Sequence, residues 1–187
     1  MNQRFHRCPL PLPGLTLVER QPIADPRGYL ERMFCADTFA ALGLAKPIVQ
    51  INHTLTRTEG TVRGMHFQHA PHAETKVISC LRGAAFDVAV DLRRGSPTFM
   101  RWHGETLSED NHRTLIIPEG FAHGFQTLTA DCELLYFHTA PHAPQSEGGV
   151  SPTEPRLAIA WPLPVRELSE RDAKWALLSA QFEGLAP

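Results

Sequence analysis

Three things are missing from this 187-residue sequence, and each removes a class of protein. It has no apolar run approaching the roughly 20 residues that a membrane-spanning helix needs. Its four cysteines, Cys8, Cys35, Cys80 and Cys132, are scattered without a C-x-x-C pair. That spacing argues against a zinc knuckle or a dithiol redox motif and for free thiols. Neither charge sign is in surplus, with 18 Lys and Arg against 20 Asp and Glu. There is therefore no electrostatic footprint for nucleic acid, and any anionic ligand must be held by a local cluster. The segment Met1 to Gly14 carries Arg4, Arg7 and three prolines but no apolar stretch, so it does not read as a leader peptide. The expectation is a cytoplasmic protein bound to neither membrane nor nucleic acid.

What is present is a chain of single-domain size, 1–187, with 42% hydrophobic and 20% charged residues, ordinary for a globular fold. From Ala85 to Leu92, Phe86, Val88, Val90 and Leu92 alternate with Ala85, Asp87, Ala89 and Asp91, the period of a half-buried strand. Further β-rich segments are expected at Leu15 to Val18, Tyr29 to Phe34, Ile48 to Thr54, Thr61 to Phe67, Lys76 to Leu81, Thr98 to His103, Thr114 to Ile117, His123 to Leu128 and Cys132 to His138. Turn signals such as Arg82-Gly83, Arg94-Gly95-Ser96-Pro97 and Pro118-Glu119-Gly120 separate them. Helices are expected only at Asp37 to Leu42 and from Ser169, as a cap, through Leu178. Many short strands with peripheral helices predict an all-β fold, an antiparallel sandwich or barrel of the jelly-roll kind. Pro141 to Pro155, rich in Pro, Gly and Ser, reads as a long functional loop.

Ten histidines invite a metal-site reading. The segment Pro118-Glu119-Gly120-Phe121-Ala122-His123 resembles the second conserved stretch of the cupins, a jelly-roll family. In the first stretch, however, His66 is followed by Gln68 where cupins place a second His ligand, and Lys76 stands near the place of the ligand Glu. A cation repels a metal ion and an amide binds it poorly, so no catalytic metal is expected there. His69 and His72, followed by Glu74, leave a surface site open. A lysine in the place of a metal suits a reaction that builds negative charge on oxygen, such as enolate formation. By strand parity His66 and Gln68 share a face with Gly64, and Arg63 joins them only if Gly64 opens a bulge. Each residue also has an ordinary role: Lys76 can snorkel outward, Tyr136 can be core, and Asp172 can complement a helix dipole. The residues alone stop at a cupin-like domain.

Eight ordered segments carry a closer resemblance: Asp25-Pro26-Arg27-Gly28, Gln50-Ile51-Asn52, Val62 to Gln68, Asp87 to Arg93, Gly95-Ser96-Pro97-Thr98, Pro118 to Phe125, Ile159-Ala160-Trp161-Pro162 and Leu168 to Asp172. Together they resemble the dTDP-4-dehydrorhamnose 3,5-epimerase family from about Leu15 to Asp172. The resemblance implies a cupin-like jelly roll, a homodimer with an exchanged N-terminal strand, a nucleotide-linked 4-keto-6-deoxy sugar as substrate, and no cofactor. It implies His66 as general base, Asp172 as the carboxylate orienting it, Lys76 as the cation at the ketone oxygen and Tyr136 as acid. Arg27, Gln50, Asn52, Arg63 and His123 are implied substrate contacts, Arg27 across the dimer. His142 joins them, standing where the family has a second tyrosine six residues after the first. Pro152-Thr153-Glu154-Pro155 replaces the usual Trp-Asn-Asp-Pro, and Gly28 to Arg32 lacks the usual Phe and Glu positions.

The alternatives are a relative inverting carbon 3 or carbon 5 alone, or using a GDP- or CDP-linked sugar; a silent sugar-nucleotide-binding cupin; and a metal-dependent cupin enzyme. Gln68 and Lys76 set the expectation that exhaustive chelation leaves turnover unchanged, as an assay before and after chelation would show. A loss restored by one specific metal would favour the last alternative.

Overall fold

The computed structural model describes residues 4–186; residues 1–3 and 187 of the expected 1–187 unit lie outside the described residues. In chain order the elements are β1 (Phe5–Cys8), β2 (Thr16–Arg20), β3 (Ile23–Asp25), β4 (Gly28–Leu30), α1 (Ala36–Ala41), β5 (Gln50–Thr56), β6 (Val62–Gln68), β7 (Lys76–Arg82) and β8 (Ala84–Asp91). They continue with β9 (Trp102–Ser108), β10 (Arg113–Ile117), β11 (Phe121–Thr127), β12 (Cys132–His138), a 3-10 turn (Pro144–Ser146), β13 (Glu147–Gly149) and α2 (Glu170–Ala173). A six-stranded sheet in the order β1-β2-β10-β7-β12-β5 faces a five-stranded sheet in the order β13-β6-β11-β8-β9, all strand pairs being antiparallel. This is the expected all-β jelly-roll sandwich.

Between the sheets, Ile78, Leu115, Ile117 and Leu134 from one side meet Ala85, Ala89, Leu107, Phe121 and Phe125 from the other. Each of these Leu, Ile and Phe side chains contributes roughly 1.5–3 kcal/mol by leaving water. The expected half-buried strand, β8, is in fact buried on both faces. Its apolar row, Val88 and Val90, turns away from the partner sheet, where Val150, Leu157, Ile159 and Trp161 cover it. Its other row, Ala85, Asp87 and Ala89, points inward and is fully buried. Alternation therefore marked two different buried environments instead of core and solvent. Outside the six-stranded sheet, Phe39 of α1 and the following Leu44 cover Val18, Val77, Ile116 and Phe137.

Tertiary contacts shift several expected boundaries. The segment expected as a strand from Thr98 is a turn, because the Asp91 carboxylate gathers Arg93, the Ser96 hydroxyl (2.5 Å) and the Thr98 hydroxyl (2.6 Å). Burial alone would raise that carboxyl, but these hydrogen bonds outweigh it and hold its pKa at about 2. The strand expected through Phe34 ends at Leu30, after which Glu31 pairs with the buried Arg20 at 2.8 Å. The helix expected through Leu178 stops at Ala173; Trp175 packs over Gly149, and the Leu178 amide donates to Glu154.

The bulge that would turn Arg63 inward is present. His66 pairs with His123 and Arg63 with Phe125, so three steps on β6 match two on β11. Gly64 sits at φ +130°, with Gly124 so close that an added Cβ would lie 2.5 Å from its Cα. Gly64→Ala is therefore expected to destabilise the protein by roughly 1–3 kcal/mol or more in urea denaturation.

Candidate active site

A cavity of about 280 Å³ opens between the sheets. The five-stranded sheet contributes Arg63 and His66 from β6 and His123 and Phe125 from β11. The facing sheet contributes Asn52 and Thr54 from β5, Lys76 from β7, and Tyr136 and His138 from β12. Glu74, His142, Glu147 and Arg171 complete its lining. A larger cavity of about 460 Å³, at Pro13, Arg94 and Leu185, is lined by Gln68 and His69 but by none of the ten expected catalytic and substrate-binding residues.

His66 is held from behind. Its Nε2 lies 2.6 Å from Asp172 Oδ1, while Asp172 Oδ2 accepts the Gly64 backbone N–H at 3.1 Å. Ser169 caps α2 through the Asp172 amide at 3.0 Å, which fixes the carboxylate's backbone. Burial works to raise the Asp172 carboxyl, yet the His66 hydrogen bond and charge and the Gly64 N–H outweigh it and keep it below its ordinary value. An ionised Asp172 accepts from Nε2–H, so whenever the ring is neutral its lone pair is on Nδ1. Arg171 stands beside the pair, its guanidinium bound to Glu147 at 2.8 and 3.0 Å.

His123 is buried and bonded to Asp87 at 2.9 Å. Burial pushes its pKa down; Asp87 opposes, but the nearby charges of Lys76 and His66 add to the fall, so the ring is neutral. Tyr136 packs edge-on to His123 with centroids 6.1 Å apart. Burial, reinforced by the charge of Asp87, drives its phenol well above the usual range, so it stays protonated. Lys76 Nζ donates to the His66 carbonyl at 3.3 Å and lies 3.4 Å from Glu74. The cavity thus offers an imidazole backed by a carboxylate on one wall and a protonated phenol and an ammonium on the other. That arrangement can remove a proton, stabilise an oxyanion and return a proton from the opposite side.

Nine of the ten residues expected from sequence lie at or beside this cavity. Gln50 touches it indirectly, accepting the His142 amide at 2.9 Å and donating to Asn52 at 3.2 Å. Arg27 is the exception: it sits on the β3–β4 hairpin, bound to Asp25 at 2.6 Å with its side chain 90% exposed. Gln68 does not face the site either; it ties together the His72 carbonyl, the Pro141 carbonyl and the Ala143 amide. Glu74, grouped by spacing with His69 and His72, turns inward to His138 instead. Among the described residues no group of three or more His, Cys, Asp or Glu is placed to hold a metal ion. Sequence reasoning missed Thr54, Glu74, His138, Glu147 and Arg171. Parity could have found two of them, since Thr54 and His138 each lie two residues beyond a named site residue on the same strand.

Because the Asp172 carboxyl is lowered by folding, its pairing stabilises the protein above the ordinary carboxylate pKa of 3.8 and fades as pH falls through the folded value. The stability gap between the native protein and Asp172→Asn should be full at neutral pH and close in acid, as urea titrations at successive pH values would show.

The dTDP-4-dehydrorhamnose 3,5-epimerase family model matches residues 9–180. A dTDP-4-dehydrorhamnose 3,5-epimerase from Sinorhizobium fredii is 41% identical over 165 residues, 88% of this chain and 85% of that one. A dTDP-4-dehydrorhamnose 3-epimerase from Streptomyces niveus is 39% identical over 181 residues, 96% of this chain and 87% of that one. The structure is similar, with a TM-score of 0.89 and 38% identity, to the dTDP-6-deoxy-D-glucose-3,5-epimerase of Legionella pneumophila in complex with dTDP-4-keto-L-rhamnose, covering 92% of each chain. With its fold and nearly its whole length in agreement, the chain belongs to the dTDP-4-dehydrorhamnose 3,5-epimerase family.

Proposed function

We propose that this protein inverts carbons 3 and 5 of a dTDP-linked 4-keto-6-deoxy hexose, converting dTDP-4-dehydro-6-deoxyglucose to dTDP-4-dehydrorhamnose. The observation that carries this reading is that His66 and Tyr136 enter one cavity from opposite sheets. A sugar ring between them meets a base on one face and an acid on the other.

The ketone at carbon 4 acidifies the hydrogens on both neighbouring carbons. Nδ1 of His66 takes one of them, and Asp172 supports the imidazolium that forms. The electron pair moves onto the ketone oxygen, where Lys76 stabilises the enolate. Tyr136 then delivers a proton to the other face, and exchange with water resets both groups. Repetition at the second carbon completes the reaction, and every step is a proton transfer requiring no redox partner. Neutral His123, with Asn52, Gln50, Arg63 and His142, binds the sugar and the nucleotide diphosphate. The exposure of the β3–β4 hairpin supports a homodimer in which an N-terminal strand is exchanged and Arg27 reaches the neighbouring subunit's cavity. A nucleotide-linked substrate fits a cytoplasmic enzyme.

A second reading, inversion of carbon 3 alone, is favoured by His142 in the lining where a tyrosine is usual and by the similarity to the 3-epimerase. Turnover in deuterated water separates the two: label at carbons 3 and 5 supports the first, and label at carbon 3 alone the second. His66→Asn should abolish both deuterium uptake and product. Tyr136→Phe should still exchange substrate hydrogen while losing inversion, because an enolate without its acid is reprotonated only from the base's face. Undiminished inversion by Tyr136→Phe would assign the acid to another group, His142 first.

A further inference from the structure

Three imidazole–carboxylate pairs surround the cavity: His66 with Asp172, His123 with Asp87, and His138 with Glu74. The mechanism above uses the first two and leaves the third idle. Yet the third is built as closely as the others. His138 Nδ1 lies 2.8 Å from Glu74 Oε2, and the two side chains are only 10% and 8% exposed. The other oxygen, Glu74 Oε1, lies 3.4 Å from Lys76 Nζ. On its far side, His138 Nε2 meets the Asn52 amide nitrogen at 3.3 Å, and its ring lies parallel to that of Tyr136, 15° from coplanar with centroids 6.0 Å apart.

The donors and acceptors assign this row completely. An ionised carboxylate only accepts and an amide nitrogen only donates, so a ring with its proton on Nδ1 satisfies both neighbours. Burial would raise the Glu74 carboxyl, but the His138 hydrogen bond and the Lys76 charge overcome it, and the group lies below its ordinary value. Lys76, Glu74, His138 and Asn52 thus form one connected row along the wall that carries Tyr136.

We propose that Glu74 and His138 are positioning residues of the epimerisation: Glu74 holds the Lys76 ammonium where the enolate oxygen develops, and His138 clamps Glu74 while bracing the Tyr136 ring. The inference rests on the epimerase reading. A lysine head on a four-carbon stem stabilises a transition state well only if it is already in place, and an untethered one gives up that preorganisation. A carboxylate tether also cancels part of the positive charge it holds. Here the tighter bond goes to His138 and the looser contact to Lys76, which keeps the cation in position while leaving its charge for the substrate.

The test is a set of substitutions, Glu74→Gln and His138→Phe, each made with Lys76 intact and with Lys76→Met. The readouts are kcat, KM, deuterium uptake from solvent, dTDP affinity by calorimetry and thermal melting. With Lys76 present, Glu74→Gln should lower kcat and deuterium uptake by roughly ten- to a hundredfold. KM and dTDP affinity should stay within about twofold, as expected for an interaction made only in the transition state. In the Lys76→Met background the same substitution should cost little more. His138→Phe keeps the ring against Tyr136 but breaks the clamp, and should show the same dependence on Lys76; it carries the test if Glu74→Gln fails to fold. Equal losses with and without Lys76, or weaker dTDP binding at unchanged kcat, would overturn the proposal. If the unmodified protein turns over substrate and both variants match it, this inference alone falls. If the unmodified protein neither exchanges deuterium nor turns over the sugar nucleotide, the epimerase reading falls and takes this inference with it.

Discussion

At Gly64, β6 approaches β11 so closely that only a hydrogen fits between the two backbones, and three features of the cavity depend on that approach. The extra residue turns Arg63 and His66, three apart in sequence, toward the same space. The Gly64 N–H, freed from the strand ladder, points at Asp172 and anchors the carboxylate that holds His66. Gly124 supplies the matching gap from β11; a side chain there would strike the Met65 sulfur. A pair of glycines facing each other across two strands thus converts an ordinary antiparallel pair into the seat of His66 and the carboxylate behind it.

The interior of the sandwich is divided along its length. One part is filled by Ile78, Leu115, Leu134 and their partners and excludes water. The other part is polar, and there nearly every charge has a partner. Leaving a buried charge unpaired costs several kcal/mol, so the imidazole–carboxylate pairs are a condition for placing so many titratable groups inside a small domain. The same pairing fixes ring tautomers, which an acid–base site needs. Among the described residues one oxygen of Asp87 has no hydrogen-bond partner, in a site lined by Tyr136 and His123, and the charge of Asp87 reinforces the neutrality of the phenol.

The chain after β12 completes the site from outside the sheets. Val150, Leu157 and Trp161 cover the five-stranded sheet, and this cover carries the chain round to Ser169 and Asp172 behind His66. Asp172 therefore reaches a histidine more than a hundred residues earlier in the chain, and hydrophobic packing of the connecting segment sets the precision of that contact.

The sequence by itself determined most of the strand pattern and the turns, because period-two alternation and Gly and Pro punctuation are local signals. His66 and Asp172 were legible as candidates because they stand in segments that carry the family resemblance, and Lys76 and Tyr136 because they fall between such segments within the span it covers. Only the tertiary structure decided which face of β8 is inward, since Ala85, Asp87 and Ala89 look like a solvent face until the opposing sheet and the C-terminal cover bury both sides. It alone decided that Arg63 joins His66, because a bulge is a property of two strands and their register. The pairing of Glu74 with His138 was equally invisible: the two are 64 residues apart, and no local pattern reports that β7 and β12 lie side by side. Contacts at long sequence separation come from how the layers stack, and packing energy selects that stacking over the whole chain at once.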